Sequence, residues 1–168
     1  MMISVRLLNE NDVSAYRALR LEALQNSPMA FGSSYEEELT MPLSKFVSRL
    51  HEARVFGSYS GEGSLIGILG FIRESRTKRA HNASLVGMYV STSSRKQGVG
   101  GKLLDYTIQF ARQLGGIKTI KLSVTANNRD AARLYLSRGF KPFGLEPDAL
   151  YVDGKYLDEE YLILRLDD

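Results

Sequence analysis

Hydrophobic and polar positions change period several times along this chain, and each change predicts an element. Residues 3–8 alternate as a strand does. After the capping run Asn9-Glu10-Asn11-Asp12, Val13, Tyr16, Leu19, Leu21 and Leu24 recur at helical spacing. Pro28 closes that helix, and SPMAFGSSYEEE reads as a loop into a second helix with Pro42 near its first turn and Phe46, Val47 and Leu50 inward. Residues 54–60, the turn Gly61-Glu62-Gly63 and residues 64–74 form a strand-turn-strand signature. The run LIGILGFI is apolar enough to predict a buried central strand.

Beyond the polar stretch SRTKRAHN, SLVGMYV predicts another strand, followed by a glycine-rich turn and a helix carrying Leu103, Leu104, Ile108, Phe110 and Leu114. Gly115-Gly116 ends that helix. IKTIKLSV then reads as a strand, and Asn127/Asn128 cap a helix that runs through Arg138 and stops at Gly139. Two strand-like runs around Asp153-Gly154, a strong hairpin dipeptide, complete the chain. This order predicts a single mixed α/β domain over residues 1–168, without repeats or linkers.

Composition narrows the functional classes. Twenty-two Lys+Arg against nineteen Asp+Glu leave a net charge of +3, far from the concentrated basic face of a nucleic-acid binder. With no cysteine, disulfides, thiolate metal ligands and an acyl-cysteine intermediate are excluded, and no metal site is expected. No run approaches the ~20 apolar residues of a bilayer span. A cytoplasmic protein without membrane or nucleic-acid partners is the expectation.

The stretch SRKQGVGGKLL, residues 94–104, holds the candidate chemistry. It is not a P-loop, because the first glycine of that motif falls on Lys96 and its Ser/Thr on Leu103. Nor is it a dinucleotide fingerprint, whose third glycine also falls on Leu103. What remains is strand, turn and helix with Arg95, Gly98 and Gly100 as R-x-x-G-x-G, an arrangement that converges backbone N–H groups on an anion at a helix N-terminus. A turn that merely connects two elements is the plainer alternative.

Together, GMYVSTSSRKQGVGGKLL and KLSVTANNRDAARLYLSRGF resemble the two central signatures of the GNAT superfamily of N-acetyltransferases, in their usual order. The resemblance extends more loosely over nearly the whole chain. It implies a central mixed, mostly antiparallel sheet of about six to seven strands, splayed between the fourth and fifth and flanked by about four helices. It also implies acetyl-CoA as cosubstrate, its pantetheine pairing with the backbone around Met88, Tyr89 and Val90 beside a bulge at Gly87. Its pyrophosphate would rest on the N–H groups of Gln97, Gly98, Val99, Gly100, Gly101 and Lys102, with Arg95 and Lys96 adding positive charge.

On the same resemblance, Tyr135 falls on the tyrosine whose hydroxyl serves as general acid, and Asn128 on a cofactor-contacting asparagine, a place that also suits a helix cap. Many relatives carry a carboxylate along the fourth strand, where this chain has Ser84, Leu85 and Val86. His81 and Glu74 are the nearest candidate bases, and ordered water is an alternative. Phe31, Ser33, Ser34 and Tyr35 are candidate acceptor contacts, and Glu36-Glu37-Glu38 would attract a cationic amine or simply form a solvated helix start. The expected partner is a small-molecule or protein amine, bound by a monomer or homodimer. A CoA-binding regulatory module of the same fold, or a nucleic-acid-associated domain using RESRTKR, are the competing readings.

Overall fold

The computed structural model describes residues 2–167. Among these residues seven strands form one mixed sheet in the order β1-β2-β3-β4-β5-β7-β6: β1 Ile3–Leu7, β2 Arg54–Ser60, β3 Leu65–Arg73, β4 Asn82–Val90, β5 Thr119–Thr125, β6 Lys141–Val152 and β7 Lys155–Arg165. All neighbours are antiparallel except β4 and β5. The expected fold class therefore holds. Five α-helices cover the sheet, one more than expected: α1 Val13–Asn26, α2 Tyr35–Leu39, α3 Leu43–Glu52, α4 Val99–Leu114 and α5 Arg129–Ser137.

The extra helix lies in what reads as loop. Ser34 accepts from the Glu37 N–H while the Glu37 carboxylate accepts from the Ser34 N–H, a reciprocal cap that starts α2. The signal is S-x-x-E, present in the sequence and easily lost among three glutamates. At the far end Asp153 (φ 49°) and Gly154 (φ 76°) both take left-handed backbone, the two-residue hairpin turn their dipeptide favours.

Two cores lie on opposite faces of the sheet. Leu103, Leu104, Ile108 and Ala111 of α4 pack with Leu69, Phe71, Ile120, Leu122, Val124 and Tyr135 on one face. Tyr16, Leu19, Ala23 and Leu24 of α1 meet Phe31, Phe46, Ile68 and Tyr89 on the other. Leu114 is exposed in the last turn of α4. No helix among the described residues is long and apolar enough to cross a membrane.

The glutamate run is mostly structural. Glu38 is fully buried, receiving bonds from Arg20 Nε (3.0 Å) and Nη2 (2.9 Å) and from Arg49 Nη1 (2.7 Å). Burial alone would raise its carboxyl; the bonds from the two guanidinium groups outweigh that and hold it at about 2, below its ordinary 4.5. Because the folded value is depressed, this stabilisation is present above the unfolded value and is lost as pH falls from about 4.5 through about 2. Glu38→Gln leaves two part-buried cations without their buried anion and is expected to cost about 3–5 kcal/mol, read from urea unfolding at pH 7. A variant within about 1 kcal/mol of the parent would show that the triad contributes little.

Candidate active site

β4 and β5 begin as a parallel pair and then part. Their ladder joins Asn82, Ala83 and Ser84 to Thr119, Ile120 and Lys121 and goes no further. The cause lies on the other side of β4, where Tyr89 pairs with Ile68 but Val86 pairs with Gly70, so Gly87 and Met88 face Leu69 alone. Gly87 takes φ 64°, the left-handed residue of a bulge, and the bulge bends β4 away from its parallel neighbour. β3 occupies the outer edge of β4, and β7 that of β5. The inner edges beyond Ser84 and Lys121 thus border a gap with backbone donors and acceptors left over, a place where an extended ligand can add itself as a strand.

The gap opens into a cavity of about 1070 Å³ lined by residues 85–90 of β4, 122–125 of β5, the α4 and α5 N-terminal turns, the segment between α1 and α2, and Glu159 of β7. One mouth is positive. The turn before α4 reverses through Lys96 (φ 60°) and Gly98 (φ 80°), and Lys102 makes the first intrahelical bond, to the Gly98 carbonyl at 3.1 Å. The N–H groups of Gly98, Val99, Gly100 and Gly101 are therefore the four that an α-helix leaves without an intrahelical partner. With the helix dipole behind them and Arg95 and Lys96 on the same wall, they form an anion cradle. Gly100 lies so close to its neighbours that a Cβ would stand 3.3 Å from Leu134 Cδ2 and from Met88 Cε.

Arg95 folds back along β4: its Nε donates to the Val90 carbonyl at 3.0 Å, and its guanidinium lies 5.3 Å from the Tyr89 ring centre. The Tyr89 hydroxyl in turn donates to Glu22 at 2.8 Å, fixing this end of β4 to α1. Asn128 caps α5 by accepting from the Ala131 N–H at 3.3 Å and also lines the cavity, so its two expected roles are geometrically compatible.

Tyr135 reaches the cavity from α5. Its ring packs edge-on against Phe140 at 5.7 Å, its side chain is 7% exposed, and its hydroxyl lies 3.2 Å from Met88 Sδ, a weak acceptor. Burial pushes the Tyr135 hydroxyl well above the ordinary tyrosine value, so it is a neutral donor throughout the physiological range.

Several sequence-based candidates are placed elsewhere. Lys102 spends its N–H inside α4, and the Gln97 side chain donates to the Ser93 carbonyl at 3.3 Å; neither lines the cavity. Ser34 is occupied with capping α2, and Tyr35 packs onto the core on the α1 face; neither lines the cavity, whose wall on this side is built from residues 26–33, Phe31 and Ser33 among them. Glu74 and His81 sit at the end where β4 is still paired. The Glu74 N–H donates to the Asn82 carbonyl and its carboxylate lies 3.5 Å from Arg79. The exposed His81 uses its carbonyl to receive the Lys118 and Thr119 N–H groups. Neither side chain enters the gap. Arg20, Thr125, Asn127 and Glu159, which periodicity does not single out, do line it.

A family model described as the acetyltransferase (GNAT) family matches residues 17–140. No curated protein sequence matches the chain. Among solved structures, an acetyltransferase of the GNAT family from Streptococcus pneumoniae superposes with a TM-score of 0.86 at 19% identity, covering 98% of this chain and 100% of that one. The structure of yncA from Salmonella typhimurium with its cofactor acetyl-CoA gives 0.81 at 22% identity, over 100% of this chain and 96% of that one. A ribosomal-protein-alanine N-acetyltransferase from Brucella melitensis gives 0.79 at 21% identity, covering 97% and 99%. At these identities the likeness is one of fold.

Proposed function

The chain belongs to the GNAT family of acetyltransferases, and on that premise we propose that it is an acetyl-CoA-dependent N-acetyltransferase in which a primary amine attacks the thioester directly in a ternary complex. The observation that carries the reading is the single cavity joining the free β4 edge, the α4 anion cradle and the Tyr135 hydroxyl. An acyl-enzyme route through cysteine is closed, because the chain has none.

The residues fit the cosubstrate. The N–H groups of Gly98, Val99, Gly100 and Gly101 hold the pyrophosphate, with Arg95 and Lys96 beside them. The left-over backbone groups of β4 from Leu85 to Val90 pair with the pantetheine amides. When bound, acetyl-CoA supplies the acetyl group as an activated thioester. Tyr135 donates its proton to the departing sulfur, and water in the cavity takes the proton that the attacking nitrogen loses and restores the Tyr135 hydroxyl. The buried cavity raises the phenol's proton affinity, and it raises that of a thiolate for the same reason, so burial does not by itself mismatch donor and acceptor. Leu122, Val124, Leu134 and Val99 keep this end apolar and limit hydrolysis by bulk water.

Thiol release from acetyl-CoA, followed across a panel of amines, tests the reading. Release that depends on both an amine and acetyl-CoA is expected, with initial rates that fit a sequential and not a ping-pong scheme. A protein that binds acetyl-CoA yet acetylates no amine would favour a CoA-binding regulatory module. Acetyl-CoA is also expected to stabilise the fold by about 2.7 kcal/mol at a hundredfold excess over Kd, seen as a raised Tm. An unchanged Tm at millimolar acetyl-CoA would remove the cofactor assignment.

A further inference from the structure

The β7 wall of the cavity carries a carboxylate, Glu159, that no Lys or Arg among the described residues pairs with. Glu159 stands across the ladder from Thr125 on β5 and from Glu146 on β6, so all three share one face of the sheet. Thr125 fixes which face that is, because its hydroxyl donates to the Met29 carbonyl at 2.7 Å, on the α1 side and away from α4, α5 and Tyr135. Glu159 is half-buried and lines the cavity, while Glu146 is exposed and accepts from the Tyr161 hydroxyl at 3.2 Å.

Like charges directly opposite each other on a ladder disfavour the pairing, and here no Lys or Arg among the described residues relieves them. Carboxylates that pack into the fold or bridge elements are paired: Asp12 has Arg6, Glu38 has Arg20 and Arg49, and Asp105 has Arg138; Glu159 differs in lining the cavity without such a partner. Of the other charged groups on the cavity wall, Lys96 belongs to the turn before α4, and the remaining three have partners within the protein. Arg20 is held in a two-point pair by Glu38, Arg95 lies on Tyr89, and Asp130 lies 3.6 Å from Arg133 in the first turn of α5. The cavity is thus polarised, positive at the α4 mouth and negative at β7.

We propose that Glu159 is the specificity-determining residue for the acceptor, and that the acceptor is a primary amine carrying a second positive charge, whose distal cation pairs with Glu159 while its reacting amine points along the gap toward Tyr135. The proposal rests on the acetyltransferase reading and names the acceptor class for that same cavity. Glu159 replaces the water and like-charge environment it has in the free protein with a cation at hydrogen-bonding distance. A monoamine of equal length lacks that partner, and an amino acid adds a carboxylate that Glu159 repels.

The probes are 1,4-diaminobutane and lysine amide against butylamine and glycine, used with the full chain. Titration calorimetry onto protein saturated with free CoA is expected to show binding of the two dications at least about tenfold tighter than of butylamine or glycine. Glu159→Gln is expected to remove that preference and raise KM for the dications by about 10–100-fold, with kcat within a few-fold and the acetyl-CoA Kd unchanged. Glu160→Gln, whose side chain alternates to the other face, serves as the control with parental KM. Equal binding of butylamine and the dications, no binding of any dication to the CoA-saturated protein, or a Glu159→Gln variant with parental KM would each overturn the proposal. Failure of acetyl-CoA itself to bind would instead overturn the acetyltransferase reading beneath it.

Discussion

Gly100→Asp is expected to weaken acetyl-CoA binding by at least about 100-fold, roughly 2.7 kcal/mol, while the protein stays folded. Two effects act together. The new Cβ enters a space bounded by Leu134 Cδ2 and Met88 Cε at 3.3 Å, so the side chain is pushed toward the cavity that the glycine left open. Its carboxylate then faces the phosphates in a cradle selected for anions. In the free protein the same charge sits in the first turn of α4 and is favoured by the helix dipole, so thermal stability without ligand should hold or rise slightly. The opposed signs make the variant informative. Loss of binding with retained Tm locates the pyrophosphate at α4, whereas parental binding would reduce the turn to a connector. Gly98→Asp tests a different property: nothing lies within 4 Å of its Cβ, so its cost comes from backbone forced to φ 80°.

Tyr135→Phe is expected to lower kcat by about 10–10⁴-fold, the range of a general acid, with the acetyl-CoA Kd within a few-fold of the parent. Phenylalanine keeps the edge-on contact with Phe140 and loses only the hydroxyl, whose partner in the free protein is a methionine sulfur. A thioether is a weak acceptor, so little ground-state stability depends on the bond. Loss confined to kcat therefore assigns the hydroxyl to the transition state. Parental kcat would leave the ring as packing alone, with water protonating the thiolate; weakened binding with parental kcat would make Tyr135 a cofactor-positioning residue.

The central signatures were legible because their meaning is local. The resemblance carried by two contiguous segments implies a bulge at Gly87, which β4 has, and it points to Gly98, Gly100 and Tyr135, which the fold brings to one cavity. The mixed, mostly antiparallel sheet of seven strands, its parting between β4 and β5 and the hairpin turn likewise agree with the sequence reading. What escaped it depends on distant partners. Glu38 looks like its two neighbours until Arg20 and Arg49, 18 and 11 residues away, close around it and turn a solvated helix start into a buried ion triad. Glu159 lies in a run, DEEY, whose alternation says only that two faces differ; the register with Thr125 decides which face meets the cavity. His81 and Glu74 are near β4 in sequence but fall at its closed end, because the strands part only beyond Ser84. Lys102 illustrates a finer limit, since a shift of one residue in the helix start decides whether an N–H faces a ligand or a carbonyl.

The claim on which the account turns is that acetyl-CoA lies in the gap as an added strand, and residue-resolved amide hydrogen exchange by NMR, with and without acetyl-CoA, tests it most directly. The account predicts that the amides of residues 85–90 which point away from β3, and those of Gly98, Val99, Gly100 and Gly101, exchange rapidly in the free protein and become protected at saturation, while the paired Asn82–Ser84 segment is unchanged. Saturating acetyl-CoA that protects other segments, or none, would contradict it.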